Sequence, residues 1–222
     1  MATTQVRIPA EDRRRQIVER ATELFARQGY QGTTTKQIAQ RARVNEAIIF
    51  RHFPSKDELY WAVLEHQCDT HNGMSELEAK LRSGAPDAEI LAAIARHMLG
   101  RDTTLLRLLM FSALEHHKLS ARFFRAHVAQ YHERLAEYIR EGAAKGRFRS
   151  DVDPLVAARS FLGMVSNHFT IQELYGGKRF QEFDVEQICR EFTEIWLRGM
   201  RPGDEKTGVA HGSRRSMEPV TR

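Results

Sequence analysis

Apolar residues recur three and four positions apart along almost the whole chain, and β-branched runs alternating with polar residues are missing. A period near 3.6 belongs to helices, so the fold class is expected to be all-α. Residues 13–28 set Ile17, Val18, Ala21, Leu24 and Phe25 on one face, and Gly29 supplies a stop. One of Thr33, Thr34 and Thr35 can cap a second helix over 35–42 that buries Ile38, Ala39 and Ala42. A turn at Arg43 and Val44 leads to a third helix over 45–52, which carries Ile48 and Ile49 and delivers Phe53 to the same core. Pro54 and Ser55 break the chain. Ser55 stands three residues before Glu58, a capping box for a fourth helix that reaches about residue 81 and is kinked or broken near Asn72 and Gly73.

The remainder divides at its own punctuation. A loop over 83–86 precedes two helices, 87–99 (Ile90, Leu91, Ile94, Met98) and 103–117 (Leu105, Leu106, Leu109, Met110). A long helix is expected from Ala121 to Ala144. Asp153 followed by Pro154 opens another, which ends at Gly176 and Gly177, and Asp184 caps a last one through Met200. The ends, 1–10 and 202–222, are polar and poor in large apolar residues, so a disordered arm and a disordered tail are expected there.

Composition narrows the function. No apolar stretch approaches the roughly 20 residues of a membrane-spanning helix. The opening MATTQVRIPAEDRRRQ lacks the apolar core of a secretory signal. The two cysteines, Cys68 and Cys189, make neither a disulfide framework nor a four-cysteine zinc site, and a reducing cytoplasm is the expected compartment. Metal binding is not expected either: His66, Cys68 and His71 are poorly spaced for one helical face, and His116–His117 is only a pair. A Cys–His enzyme built on Cys68 lacks any motif for an orienting or oxyanion group, so no catalytic residue is assigned. Net charge is +5, and its placement is uneven: residues 1–60 hold eleven Lys/Arg against seven Asp/Glu, whereas 61–201 are balanced. A basic segment beside a neutral bulk suits a module that meets polyanions, with a body doing something else.

Two short helices joined by a tight turn, packed on an amphipathic helix and followed by a longer one, form a helix-turn-helix pattern. A recognition helix needs an apolar inner face and a small or polar outer face. Ile49 and Phe53 suit the inner side, and Asn45, Glu46, Ala47, Phe50 and Arg51 fall on the other. The ordered strings Ala21-Thr22-Glu23-Leu24-Phe25, Gly29-Tyr30-Gln31-Gly32-Thr33-Thr34-Thr35-Lys36-Gln37-Ile38-Ala39, Arg43-Val44-Asn45 and Phe50-Arg51-His52-Phe53-Pro54-Ser55-Lys56-Asp57-Glu58-Leu59 go further. Over residues 13–60 the chain resembles the tetracycline-repressor (TetR) family of bacterial transcription regulators.

The resemblance implies a DNA-binding domain over 11–57, a helical effector-binding and dimerisation domain over 58–201, and about nine helices in all. It implies that Thr35 meets phosphate, that Lys36 reaches a base edge or phosphate, and that Asn45 and Ala47 make contacts at the front of the recognition helix. His52 and Lys56 take phosphate-clamping positions, and Arg51 reads guanine in place of a common Tyr. Phe50 stands where Tyr is typical, and its ring can touch a thymine methyl. Glu46 stands where Lys is frequent, and a carboxylate there repels phosphate unless it accepts from cytosine N4. Residue type alone leaves other roles open: Thr33–Thr35 as turn and cap, His52 as a packed histidine, Lys56 and Arg51 as solvated charges, Phe50 as core.

For the body the resemblance implies a homodimer that binds a palindromic duplex-DNA operator and releases it on binding a small molecule, with no cofactor and no membrane; the Trp, Met and Phe content points to an apolar or amphipathic effector. Leu155, Ala158, Phe161, Leu162, Val165 and Phe169, with Ile188, Phe192, Ile195 and Trp196, are expected at the dimer contact, the alternative being that both helices fill one monomeric core. The aromatic, Met and His residues Trp61, His66, His97, Met98, Met110, Phe111, Phe124, His127, Tyr131 and His168 are candidates for the effector pocket, each also readable as plain core.

Overall fold

The computed structural model describes residues 9–71 and 73–202. Most of the expected arm and tail, and Asn72 at the expected kink, lie outside the described residues. The helices are α1 (Ala10–Gln28), α2 (Thr35–Ala42), α3 (Glu46–His52), α4 (Lys56–His71), α5 (Gly73–Arg82), α6 (Asp87–Leu99), α7 (Thr104–Leu114), α8 (Lys118–Phe123), α9 (Ala129–Ala144), α10 (Pro154–Phe169) and α11 (Val185–Met200). A π-helical turn, Phe124–Val128, runs α8 into α9, and a second, Thr170–Leu174, lengthens α10. No strand occurs among the described residues.

Local chemistry accounts for the boundaries. Glu11 and Asp12 place negative charge in the first turn of α1, which begins three residues before the expected start, so residue 10 belongs to a helix and not to an arm. Thr34 caps α2: its hydroxyl accepts from Gln37 N–H at 3.2 Å, while the Gln37 side chain accepts from Thr34 N–H at 2.8 Å. Asp153 accepts from the N–H groups of Leu155 and Val156, and Asp184 from that of Gln187 at 2.7 Å. The helix expected over 103–117 stops at Leu114 because His116 turns into the left-handed region at φ 52°. His117 Nδ1 then accepts from Leu119 N–H at 3.2 Å and starts α8 at Lys118, ahead of the expected Ala121.

Two cores result. The first gathers Ile17, Ala21 and Phe25 of α1, Ile38 and Ala42 of α2, Ile49 of α3, and Leu59, Tyr60, Val63 and Leu64 of α4, with Leu108 of α7 and Leu119 and Phe123 of α8. The second joins α5, α6, α9, α10 and α11 around Leu91, Ile94, Leu135, Ile139, Phe161 and Trp196. The break expected after residue 57 therefore does not separate the cores, because α4, α7 and α8 close the first one.

The second core corrects the expected dimer contact. Ala158, Phe161, Leu162, Val165, Ile188 and Trp196 are buried inside the protomer. Trp196 Nε1 donates to the Ala157 carbonyl at 2.9 Å, and its ring meets Phe148 and Phe161 edge-on. Leu155, Phe169 and Phe192 are half-buried, and of the ten only Ile195 is well exposed, at 59%. α10 is apolar on more than one side, and periodicity alone does not say which side faces inward.

Candidate nucleic-acid interface

α3 is seven residues long and is held by its apolar side. Ile49 and Phe53 are each 1% exposed, whereas Phe50 is 47% exposed beside exposed Asn45, Ala47 and Arg51. Burial of Ile49 and Phe53 stabilises the seat by about 1.5–3 kcal/mol each. Phe50 is thus an outward residue and not part of the core. Arg43, left-handed at φ 53°, ends α2 and turns the chain, with Val44 N–H donating to the Ala39 carbonyl at 2.9 Å.

The polar residues of this face sort less simply. Asn45 caps α3, its Oδ1 accepting from Ile48 N–H at 3.0 Å. Thr35 Oγ1 donates to Glu46 Oε1 at 2.6 Å, so in this arrangement its hydroxyl proton is committed to Glu46 and is not offered to a phosphate. Lys36 is exposed at the start of α2. His52 is half-buried at the end of α3, where its carbonyl accepts from Arg14 Nη1 at 3.3 Å. The Arg14 guanidinium lies 4.3 Å from the Phe53 ring centroid. Lys56 is half-buried: its ammonium sits 4.0 Å over the Tyr30 ring, and burial lowers its pKa.

Tyr30 belongs to a junction between this face and the body that the sequence reading missed. Gly29 leaves α1 at φ 75° with no Cβ, where one would collide with the Glu115 carboxylate. Glu115 Oε2, just past the end of α7, accepts from the N–H groups of Tyr30 and Gln31 at 3.1 and 3.2 Å. The Tyr30 hydroxyl donates to Asp57 at the start of α4, and Lys118 Nζ pairs with the same carboxylate at 2.7 Å. His117 packs its ring 4.0 Å from that of Tyr30. The Lys118 and Tyr30 donors hold the Asp57 carboxyl below its usual range. Arg107 Nε adds a bond to the Ala26 carbonyl at 2.6 Å. Partners up to 87 residues apart leave no short-range signature.

The effector candidates are dispersed rather than gathered. Trp61 is buried in the first core, with the Arg122 guanidinium 3.7 Å from its ring and the His127 ring 6.2 Å away. His97 and Tyr131 share the wall of a void of about 10 Å³, and burial pushes the Tyr131 phenol up to about 12. Met98 packs against the second core, and His168 meets Phe183 and Phe192 edge-on. His66, Met110 and Phe111 are half-buried, and Phe124 is exposed. An open groove of about 540 Å³ between α5, α6 and α11, lined by Ala88, Ala92, Arg96 and Arg190 among others, contains none of the ten. Trp61 and Met98 fill helix contacts here, the core role that residue type had left open.

Burial pushes the Cys68 thiol up to about 11, so it stays protonated near neutrality, and the His71 side chain lies outside the described residues. Among the described residues no three His, Cys, Asp or Glu side chains are grouped to hold a metal, and no helix is long and apolar enough to cross a membrane.

Comparison with known proteins agrees with this geometry. Residues 17–63 match the family described as bacterial regulatory proteins, tetR family, and residues 88–199 match the AefR-like transcriptional repressor, C-terminal domain. The transcriptional repressor Rv3405c of Mycobacterium tuberculosis is 38% identical over 99 residues, 40% of this chain and 50% of that protein, so the chain matches about half of that relative's length. The repressor NicS of Pseudomonas putida is 31% identical over 156 residues, 67% of this chain and 72% of NicS. Among solved structures, AibR in complex with isovaleryl coenzyme A and operator DNA superposes with a TM-score of 0.63 at 28% identity, covering 82% of this chain and 97% of AibR. A regulator from Pseudomonas aeruginosa PAO1 reaches a TM-score of 0.71 at 22% identity, covering 87% of this chain and 92% of its own, a likeness of fold.

Proposed function

Because the chain belongs to the tetR family of bacterial regulatory proteins, we propose that it is a ligand-responsive, sequence-specific DNA-binding regulator of transcription. In this reading it is a homodimeric repressor released from its operator by a small apolar or amphipathic effector, and not an enzyme. The observation that carries the reading is α3: a short helix seated by Ile49 and Phe53 that offers Asn45, Ala47, Phe50 and Arg51 outward. Such a helix enters the major groove, with phosphate contacts at its flanks. Lys36, exposed at the first turn of α2, is the flanking cation that this geometry favours.

Two readers related by a two-fold axis meet two half-sites about 34 Å apart. The dimer contact is best supplied by the exposed side of α10 and α11. Val156 is 60% exposed and Ile195 59%, and Ser160, Gly163 and Gly199 are exposed near them. An effector bound better by the state whose readers are misspaced shifts the population away from DNA. The Glu115–Tyr30–Asp57 junction is the physical link through which the body sets the angle of the reader. AibR, named in complex with an acyl thioester and with operator DNA, supports an amphipathic effector.

The test is a mobility-shift assay with the DNA flanking the protein's own gene, repeated at rising salt. Binding that falls steeply with salt is the expected result, and failure to bind any promoter-sized fragment would overturn the reading.

A further inference from the structure

We infer that Glu46 is a base-reading residue that selects a cytosine in the major groove, its carboxylate held in place by the Thr35 hydroxyl. The inference rests on the DNA-regulator reading. Glu46 is the first residue of α3 and Thr35 the first of α2, so the bond of 2.6 Å between them ties the two helix starts across the turn. Both ends are fixed independently: Thr34 and Gln37 cap each other's backbone at α2, and Asn45 caps α3. One carboxylate oxygen is taken by Thr35. No Lys or Arg forms an ion pair with Glu46 among the described residues.

An ionised carboxylate only accepts hydrogen bonds. On a surface that approaches a polyanion it is repelled by every phosphate, and only a donor on the DNA offsets that cost. The major groove offers two such donors, cytosine N4–H2 and adenine N6–H2. Adenine sets the N7 lone pair beside its amino group, where it opposes a second carboxylate oxygen. Cytosine has a C–H edge there, so the carboxylate discriminates between the two. A glutamine inverts the preference, since its amide accepts from N6 and donates to N7. The Thr35 bond adds orientation: it keeps the carboxylate from swinging toward solvent when the amino group is absent.

Selection from a randomised duplex pool by the full-length protein tests this. The wild type is expected to yield a palindromic consensus with one cytosine per half-site favoured by about tenfold or more. Glu46→Gln moves that position to adenine. Thr35→Val keeps the position but lowers the cytosine preference by about threefold. If Glu46→Gln and Glu46→Ala both return the wild-type consensus at every position, the inference is overturned and the regulator reading stands. If the wild type itself enriches no consensus, the regulator reading fails and takes the inference with it.

Discussion

Tyr30 engages four charged or ionisable side chains from two parts of the chain: its hydroxyl bonds Asp57, its ring lies under Lys56 and beside His117, and its N–H donates to Glu115. Asp57 gives this cluster a pH dependence. Its carboxyl is held below the usual range chiefly by the donors Lys118 and Tyr30, so the native state favours its ionised form. That stabilisation is complete above the ordinary carboxylate value near ~4 and is lost as pH falls through the depressed native value. Asp57→Asn is therefore expected to lower Tm at pH 7, with the deficit shrinking in acid below about pH 4. Thermal melts across that range check it, and a deficit that stays constant with pH contradicts it. On the outer face, Arg51→Ala is expected to relax preference at one base pair at a cost of about 1–3 kcal/mol, read by binding to single-position operator variants. A uniform loss on all variants would make Arg51 a phosphate contact. The outward set of α3 was legible because a 3.6 period sorts a short helix into two sides. Lys56 was not, because its partners come from another turn and depend on the path of α7.

The starts of helices were readable as chemistry. Asp153-Pro154 and Asp184 mark two of them, and the threonine run marks α2, with Thr34 as the residue whose hydroxyl bonds the N3 amide. Thr34→Ala is expected to cost about 1 kcal/mol, measurable as a lower urea midpoint. The ends were read less well. α7 stops without a glycine, since His116 takes the left-handed conformation itself, and the two π turns were not foreseen. The α7–α8 turn brings Glu115 to the end of α1. Glu115→Ala removes the acceptor for two backbone N–H groups, and exchange of the Tyr30 and Gln31 amides is expected to quicken by about tenfold, with protection in α10 unchanged. Equal protection at both amides in the variant would show that the carboxylate does not order the turn.

At the scale of the molecule, the all-α class and the order of helices followed from periodicity and punctuation. The division of apolar surface between interior and partner did not. Phe161 and Trp196 look, in sequence, as fit for one as for the other; the packing of α10 and α11 against α6 and α9 decides that they point inward. Ile195→Glu, on the exposed side, is expected to leave helicity intact, to convert the dimer to monomer in sedimentation, and to abolish operator binding. A dimer that persists would place the contact elsewhere. The first core has a practical corollary. Leu108, Leu119 and Phe123 seal the reader from a region some fifty residues downstream. A chimaera spliced at residue 57, carrying this reader on a foreign body, would therefore part Phe25 from the Tyr60 ring that meets it edge-on and leave the first core open. A viable graft has to carry the α7–α8 corner along with the headpiece.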